Sequence, residues 1–297
     1  MNALHAIILG LVEGITEYLP VSSTGHLIIA SSLMGLDRDP ATREAVNAFN
    51  IVIQGGAILA VAGLYWPRLV QMLRGLAGRD AAGARLVLNL ALAFVPAAAI
   101  GVLLDDLIEA LLFRPIPVLA ALAAGGVWMI WIERRRRSDE LLGERTALVP
   151  GGSTIDTMTP VQALGIGFFQ CIAMWPGTSR SMMTIGGAMM LGLRPAEAAQ
   201  FSFLLGLPTL TAACLFKLVK NLKHAHDTGA PNLFEQLGGL NVTLGILVAT
   251  VSAAFAVRWL VGFLNRHGLA AFGWYRLALC IVLGSLMAGG IVRLSPG

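Results

Sequence analysis

Charged residues are scarce in this sequence of 297, at 13%, about half the share usual in a soluble domain. Alongside 56% apolar residues and a mean hydropathy of +0.75, that scarcity excludes an ordinary water-soluble globule and implies an integral membrane protein. Cysteine is sparse too. Cys171, Cys214 and Cys280 lie far apart in apolar stretches with no CxxC, which speaks against a disulfide framework or a zinc site. The opening "MNALHAIILG" lacks a basic region and a small-residue cleavage site, so no removable signal peptide is expected. A basic stripe interleaved with aromatics is also missing. The net charge of +4 and pI near 9.3 therefore report membrane orientation rather than nucleic-acid binding.

Long apolar runs are what the chain has in abundance. A spanning helix needs about 20 apolar residues, and six stretches qualify: 45–65, 86–104, 115–132, 196–216, 240–262 and 275–292. Two more apolar segments, 1–36 and 160–193, are broken by "YLPVSSTGH" and "WPGTSRSM". Proline removes a helix donor and hydroxyl side chains favour caps, so each reads as helix, loop, helix: a re-entrant hairpin. The expected fold class is an all-α polytopic membrane protein, one domain over 1–297, with six transmembrane helices plus two re-entrant helix-loop-helix hairpins. The arginine-dense stretches "WPRLVQMLRGLAGRDAAGAR" and "ERRRRSDELLGER" fall on one side, expected to be cytoplasmic. That places 37–44, 105–114 and the C-terminus outside, with Lys217, Lys220 and Lys223 running against the rule. The stretch 220–239 reads as a polar, Gly-rich loop.

The two broken segments resemble each other. With one residue gapped, Ala6 aligns with Ala163, Gly10 with Gly167, Glu13 with Gln170, Pro20 with Pro176 and Ser23 with Ser179. This divides the chain into repeat one (1–132), a cytoplasmic linker (133–159) and repeat two (160–297). Each copy has one hairpin and three spans. An odd number of spans makes the second copy enter from the opposite side, giving an inverted-topology repeat whose breaks meet near the midplane.

Ionisable groups at bilayer depth cost at least ~2.5 to 3.5 kcal/mol each on insertion scales, so Glu13, Glu17, His26 and Arg180 are functional candidates. Glu13 and Glu17 are spaced i, i+4, which puts both carboxylates on one helix face. Two such acids repel unless they share a proton, pair with Arg180 or hold a cation between them. Oxygen ligands of this kind suit Mg2+ or Ca2+. Ser22 or Ser23 is the expected N-cap of the arm after Pro20, and Thr178 with Ser179 does the same in the other segment. Two exposed helix N-termini make an anion site, and Arg180 adds a planar charged fork suited to phosphate. His26 reads either as a structural histidine or, beside the acids and hydroxyls, as a nucleophile or general base. This set fits a phosphorylated substrate and a metal ion. A lipid-phosphate transporter or flippase shares the architecture, but binding alone has no use for the acid pair, Ser23 and His26.

The motifs "EGITEYLPVSSTGHLII" and "PGTSRSMMTIGGAMMLGL", flanked by "AFNIVIQGGAILAV" and "AAQFSFLLGLPT", resemble the signature regions of the undecaprenyl-diphosphate phosphatases of the bacitracin-resistance type. The resemblance covers nearly the whole chain. It implies hydrolysis of undecaprenyl diphosphate to undecaprenyl phosphate and inorganic phosphate in the bacterial inner membrane, recycling the lipid carrier for cell-wall polymers, with dependence on a divalent cation. By motif position it implies Glu13 and Glu17 as the acidic, metal-holding pair, Ser23 as the hydroxyl, His26 as the histidine and Arg180 as the phosphate-binding arginine. Ser22, Thr24, Thr178 and Ser179 would add phosphate hydrogen bonds. The implied partners are a polyprenyl diphosphate lipid and the bilayer, with a homodimer left open. Tyr18 stands where the family often has phenylalanine, and Met182 and Met183 where smaller residues are common. These expectations have Ser23 attack the terminal phosphorus with His26 taking its proton, or His26 attack directly.

Overall fold

A computed structural model describes residues 1–37, 40–112, 114–142, 152–228, 237–290 and 292. Of the loops expected from the sequence, 38–39, 113 and 229–236 fall outside the described residues, as do 143–151 of the linker and most of the C-terminal tail. Among the described residues the fold is all-helical, apart from one isolated bridge between Ser153 and Leu193. The helices are α1 (Ala3–Thr16), α2 (Ser23–Leu33), α3 (Pro40–Leu64), α4 (Trp66–Leu76), α5 (Ala81–Leu112), α6 (Pro115–Leu142), α7 (Pro160–Ile172), α8 (Arg180–Met190), α9 (Pro195–Thr228), α10 (Gly239–His267) and α11 (Ala270–Ala288).

Six of these are long and apolar enough to cross a membrane: α3, α5, α6, α9, α10 and α11. They coincide with the six expected stretches. Val102, Leu103, Ile116, Leu240, Phe255 and Ile281 are each at least 70% exposed, which would be unfavourable in water but suits helices whose outer faces meet acyl chains. The protein is therefore a multi-pass membrane protein. Pro96 and Pro208 lie inside α5 and α9, and both helices continue through them, as spanning helices tolerate when neighbours re-satisfy the freed carbonyl.

The two broken segments are helix, loop, helix, as their prolines and hydroxyls predict. The Asn2 side chain accepts from the His5 N–H at 2.9 Å and starts α1. A capping box between Thr159 and Gln162, with Pro160 in the first turn, starts α7. The starts of α1 and α7, and both ends of α2 and α8, are 157 residues apart, while the ends of α1 and α7 are 156 apart. The two N-caps with positive φ, Ser22 and Ser179, are also 157 apart, whereas the expected alignment set Ser23 against Ser179. The expected one-residue gap followed the prolines, which lie in the loops, where helical register does not constrain the spacing.

Packing between the halves is reciprocal. Helix α1 lies along α10, and α7 lies along α5. Gly10 and Gly167, 157 residues apart, are both points of close approach. A Cβ on Gly10 would sit 2.6 Å from the Gly245 carbonyl oxygen, and one on Gly167 would sit 2.8 Å from that of Ala93.

Two elements were not legible in advance. Residues 66–76, expected as part of an arginine-rich loop, form α4, with Trp66, Leu73 and Leu76 exposed; such a short helix with an apolar face suits a membrane interface. Arg68 of α4 donates two hydrogen bonds to Asp156, at 2.7 and 3.0 Å, which raise its pKa above the usual arginine value. Residues 133–142, assigned to the linker, extend α6. The buried Glu133 pairs there with Arg136 and Arg137 and accepts from the Leu269 N–H at the start of α11.

Candidate active site

The loops at the two breaks meet inside the bundle. Ser181 of α8 donates to the Leu19 carbonyl at 2.8 Å, tying the second segment to the first. Around this junction Tyr18, Met182, Ile185, Phe201 and Phe203 are almost wholly buried, so polar groups here work in a dry setting where their electrostatic interactions are strong.

Glu13 and Glu17 project from one face of α1 and its C-cap into this junction, buried at 0% and 8% exposure. No protein N–H or hydroxyl donates to either carboxylate oxygen of Glu13, which stands beside the Glu17 carboxyl. Unpartnered buried acceptors are rare in native structures and call for an explanation such as a bound ion. Glu17 is better supplied. Its Oε2 accepts from the Ser23 hydroxyl at 2.9 Å, and its Oε1 lies 3.5 Å from Arg180 Nη2.

Arg180 opens α8, directly after the Ser179 cap. Its Nη1 donates to the Ser202 carbonyl of α9 at 3.1 Å, and its guanidinium lies over the Tyr18 ring at 5.3 Å. Gly206 leaves the room: a Cβ there would stand 3.0 Å from Nη1. Arg180 Nε and Nη2 make no hydrogen bond, so donors remain for an anion. Thr184 holds the helix turn from which the side chain springs, donating to the Arg180 carbonyl at 2.8 Å and contacting the Ser202 hydroxyl at 2.6 Å.

Ser22 and Ser179, the N-caps of α2 and α8, are the only non-glycine residues with positive φ among the described residues, at 72° and 76°. Such backbone is costly and tends to persist where it serves a site. Ser179 accepts from the Met182 N–H at 3.3 Å and contacts the Ser181 hydroxyl at 3.1 Å. The Thr178 hydroxyl is buried without a partner, whereas Thr24, in the first turn of α2, is part-exposed.

Glu13, Glu17, Ser23, Arg180, Ser179 and Thr178 are thus brought together. His26 is half-buried and turned aside. Its Nδ1 is 2.8 Å from the Ser22 carbonyl and its Nε2 is 2.7 Å from the Tyr275 hydroxyl. In this arrangement the proton of Ser23 points to Glu17 and not to His26.

Sequence reasoning missed Arg276. It is fully buried on α11 and donates to the carbonyls of Ala121 and Gly177 at 3.1 and 2.8 Å, tying the α7–α8 loop to α6. Gly125 makes space for it: a Cβ there would lie 2.6 Å from Nη2. The signal was present, an arginine within the expected span 275–292, but its place at the end of that span made it look like a flanking charge. Tyr275, Ser181, Ser202 and Gly206 carried no signal of their own.

Known proteins share this sequence. The family described as Bacitracin resistance protein BacA matches residues 6–282. A protein named undecaprenyl-diphosphatase from Sorangium cellulosum is 45% identical over 92% of this chain and 83% of its own length. Undecaprenyl-diphosphatase 2 of Rhodospirillum rubrum is 43% identical over 98% of this chain and 97% of its own. The undecaprenyl-diphosphatase of Deinococcus radiodurans is 39% identical over 99% and 98%. Agreement at this level along the whole chain, including both broken segments, makes this protein a member of the BacA bacitracin-resistance family.

Proposed function

We propose that this protein is an intramembrane phosphatase of the bacterial inner membrane, hydrolysing undecaprenyl diphosphate to undecaprenyl phosphate and inorganic phosphate and so returning the lipid carrier to cell-wall synthesis. The observation that carries the reading is the Ser23 hydroxyl donating to Glu17 beside the Arg180 guanidinium. A nucleophile, a proton acceptor and an anion clamp within one dry junction are what phosphoryl transfer requires.

On this reading Arg180 and the N–H groups at the starts of α2 and α8 bind the diphosphate. Ser23 Oγ attacks the terminal phosphorus, its proton passes to Glu17, and the bond to the bridging oxygen breaks, releasing undecaprenyl phosphate. Water then attacks the phosphoserine phosphorus and the bond to Ser23 Oγ breaks; the proton held by Glu17 returns to Oγ, and the water's protons leave with inorganic phosphate. Glu17 replaces His26 as the proton acceptor expected from the motif, because both ring nitrogens of His26 are committed elsewhere.

Of the acid pair expected to hold a divalent cation, Glu13 and Glu17, it is Glu13 that would hold Mg2+ or Ca2+, since both oxygens of Glu17 are engaged by Ser23 and Arg180. The residues fit it: the Glu13 oxygens are buried and unpartnered, and Mg2+ is typically held by one or two carboxylates together with substrate phosphates. Such an ion would neutralise charge on the transferring phosphoryl group.

The two broken segments are read as re-entrant hairpins of an inverted-topology repeat. The common 157-residue offset of their helix starts and the reciprocal packing of α1 on α10 and α7 on α5 support this. The test is inorganic phosphate release from a polyprenyl diphosphate by purified protein in detergent, with and without EDTA, alongside E17Q and R180A. Metal-dependent release lost in both variants supports the phosphatase; no release by well-folded protein sinks it and points to a lipid-phosphate carrier.

A further inference from the structure

His26 makes its shortest side-chain contacts away from the reacting groups. The Ser22 carbonyl, 2.8 Å from Nδ1, cannot donate, so Nδ1 carries the proton. In the neutral ring Nε2 then accepts from the Tyr275 hydroxyl at 2.7 Å. The ring is therefore fixed at both ends, between the strained peptide that starts α2 and a phenol on α11.

The second broken segment provides an internal comparison. Ser179, at the equivalent position and with nearly the same φ, caps its own helix through its side chain, which accepts from the Met182 N–H. Four residues on stands Met183, the counterpart of His26, which bonds the Ser179 carbonyl through its backbone alone. Ser22 has the same unfavourable φ but no side-chain cap bond. The copy whose cap sustains itself has methionine; the copy whose cap does not has a histidine gripping the cap carbonyl.

We propose that His26 is a positioning residue, and not the base or nucleophile: its imidazole, buttressed by Tyr275, clamps the Ser22 peptide in the left-handed conformation that aims the α2 N-terminus and Ser23 at the phosphate. The clamp leaves the Ser22 hydroxyl free of capping duty. Tyr275 acts through His26 and is a second positioning residue. The inference rests on the phosphatase reading for its kinetic consequences, but not for its geometry.

Asn and Gln separate the two roles. The Asn amide nitrogen falls where Nδ1 lies and can donate to the Ser22 carbonyl, the Gln amide falls nearer Nε2, and neither can serve as a base. H26A and H26Q should lower kcat/KM by about 10- to 100-fold, while H26N recovers most of that loss. The pH profile of H26N should keep the shape of the wild type. Y275F should lower kcat/KM by a few-fold with the same profile. The titratable groups facing His26 are Tyr275 and Arg276 of α11, so the profile of Y275F also checks their part. If His26 were the base, H26N would be as inactive as H26A, at about 10^2- to 10^4-fold, and that result would overturn the proposal. Binding of a non-hydrolysable polyprenyl methylenediphosphonate, measured on the same variants beside their thermal melting, reads the clamp without turnover. Weakened binding in H26A restored in H26N supports the clamp even if the wild type releases no phosphate, whereas equal binding by all variants refutes it.

Discussion

The Ser23 hydroxyl and the Glu17 carboxylate are joined at 2.9 Å although they belong to two different helical arms separated by the Pro20 turn. The contact makes the end of α1 and the start of α2 a single chemical unit. It also divides the labour between the two acids, since Glu17 has a donor and a cation nearby while Glu13 has neither.

Removing either member of that contact should abolish turnover while leaving the lipid headgroup bound. S23A is expected to reduce kcat by at least about 10^3-fold with little change in KM, and E17Q by about 10^2- to 10^4-fold. Single-turnover kinetics with a labelled terminal phosphate checks this. A phosphoserine at position 23 trapped by rapid quench supports the assignment, and labelled histidine in its place defeats it.

Metal removal separates Glu13 from Glu17. In the wild type EDTA should stop phosphate release, and Mg2+ or Ca2+ should restore it. E13Q, which deletes the charge whose oxygens have no protein donor, should raise the metal concentration needed for half-maximal activity by at least about tenfold. A metal requirement unchanged in E13Q would show that the acid is held protonated instead.

Arg180 depends on the empty volume at Gly206, where an added Cβ would lie within 3.1 Å of Cζ and both terminal nitrogens. G206V should displace the guanidinium and lower kcat/KM nearly as far as R180A, about 10^2- to 10^3-fold. Lysine cannot reproduce the planar fork, so R180K should recover little. The melting temperature of G206V distinguishes the two causes of loss: an intact fold with lost activity identifies displacement of Arg180.

Gly10 sits where α1 meets the backbone of α10. G10L has to push the helices apart, and overpacking of this kind costs about 1 to 3 kcal/mol. Thermal unfolding in detergent should show the loss, with a similar one for G167L on α5. Exposed positions such as Leu103 should tolerate Ala or Phe with little change.

Much of the fold was legible because the bilayer imposes one strong rule. Backbone polar groups must be satisfied inside each segment, so apolar runs of sufficient length become helices, and all six spanning helices were read correctly. Glu13, Glu17, Ser23 and Arg180 stood out because charge and hydroxyls are costly in such runs. Short amphipathic elements were harder. The arginines of α4 hid its apolar face, and the charges at 133–137 looked like a linker although Glu133 and its arginine partners lie on a continuing helix.

Composition and spacing alone determined that this chain is a helical membrane protein with two polar breaks and an acid pair one turn apart, since hydropathy and helical period are local properties. Tertiary structure decided which groups meet. It brought Arg180 to Glu17, turned His26 from Ser23 to Tyr275 and placed Arg276 under the α7–α8 loop. Those relationships depend on how helices distant in sequence cross and where glycines let them approach, and on the direction of a few side chains at the crossing, which neither periodicity nor composition encodes.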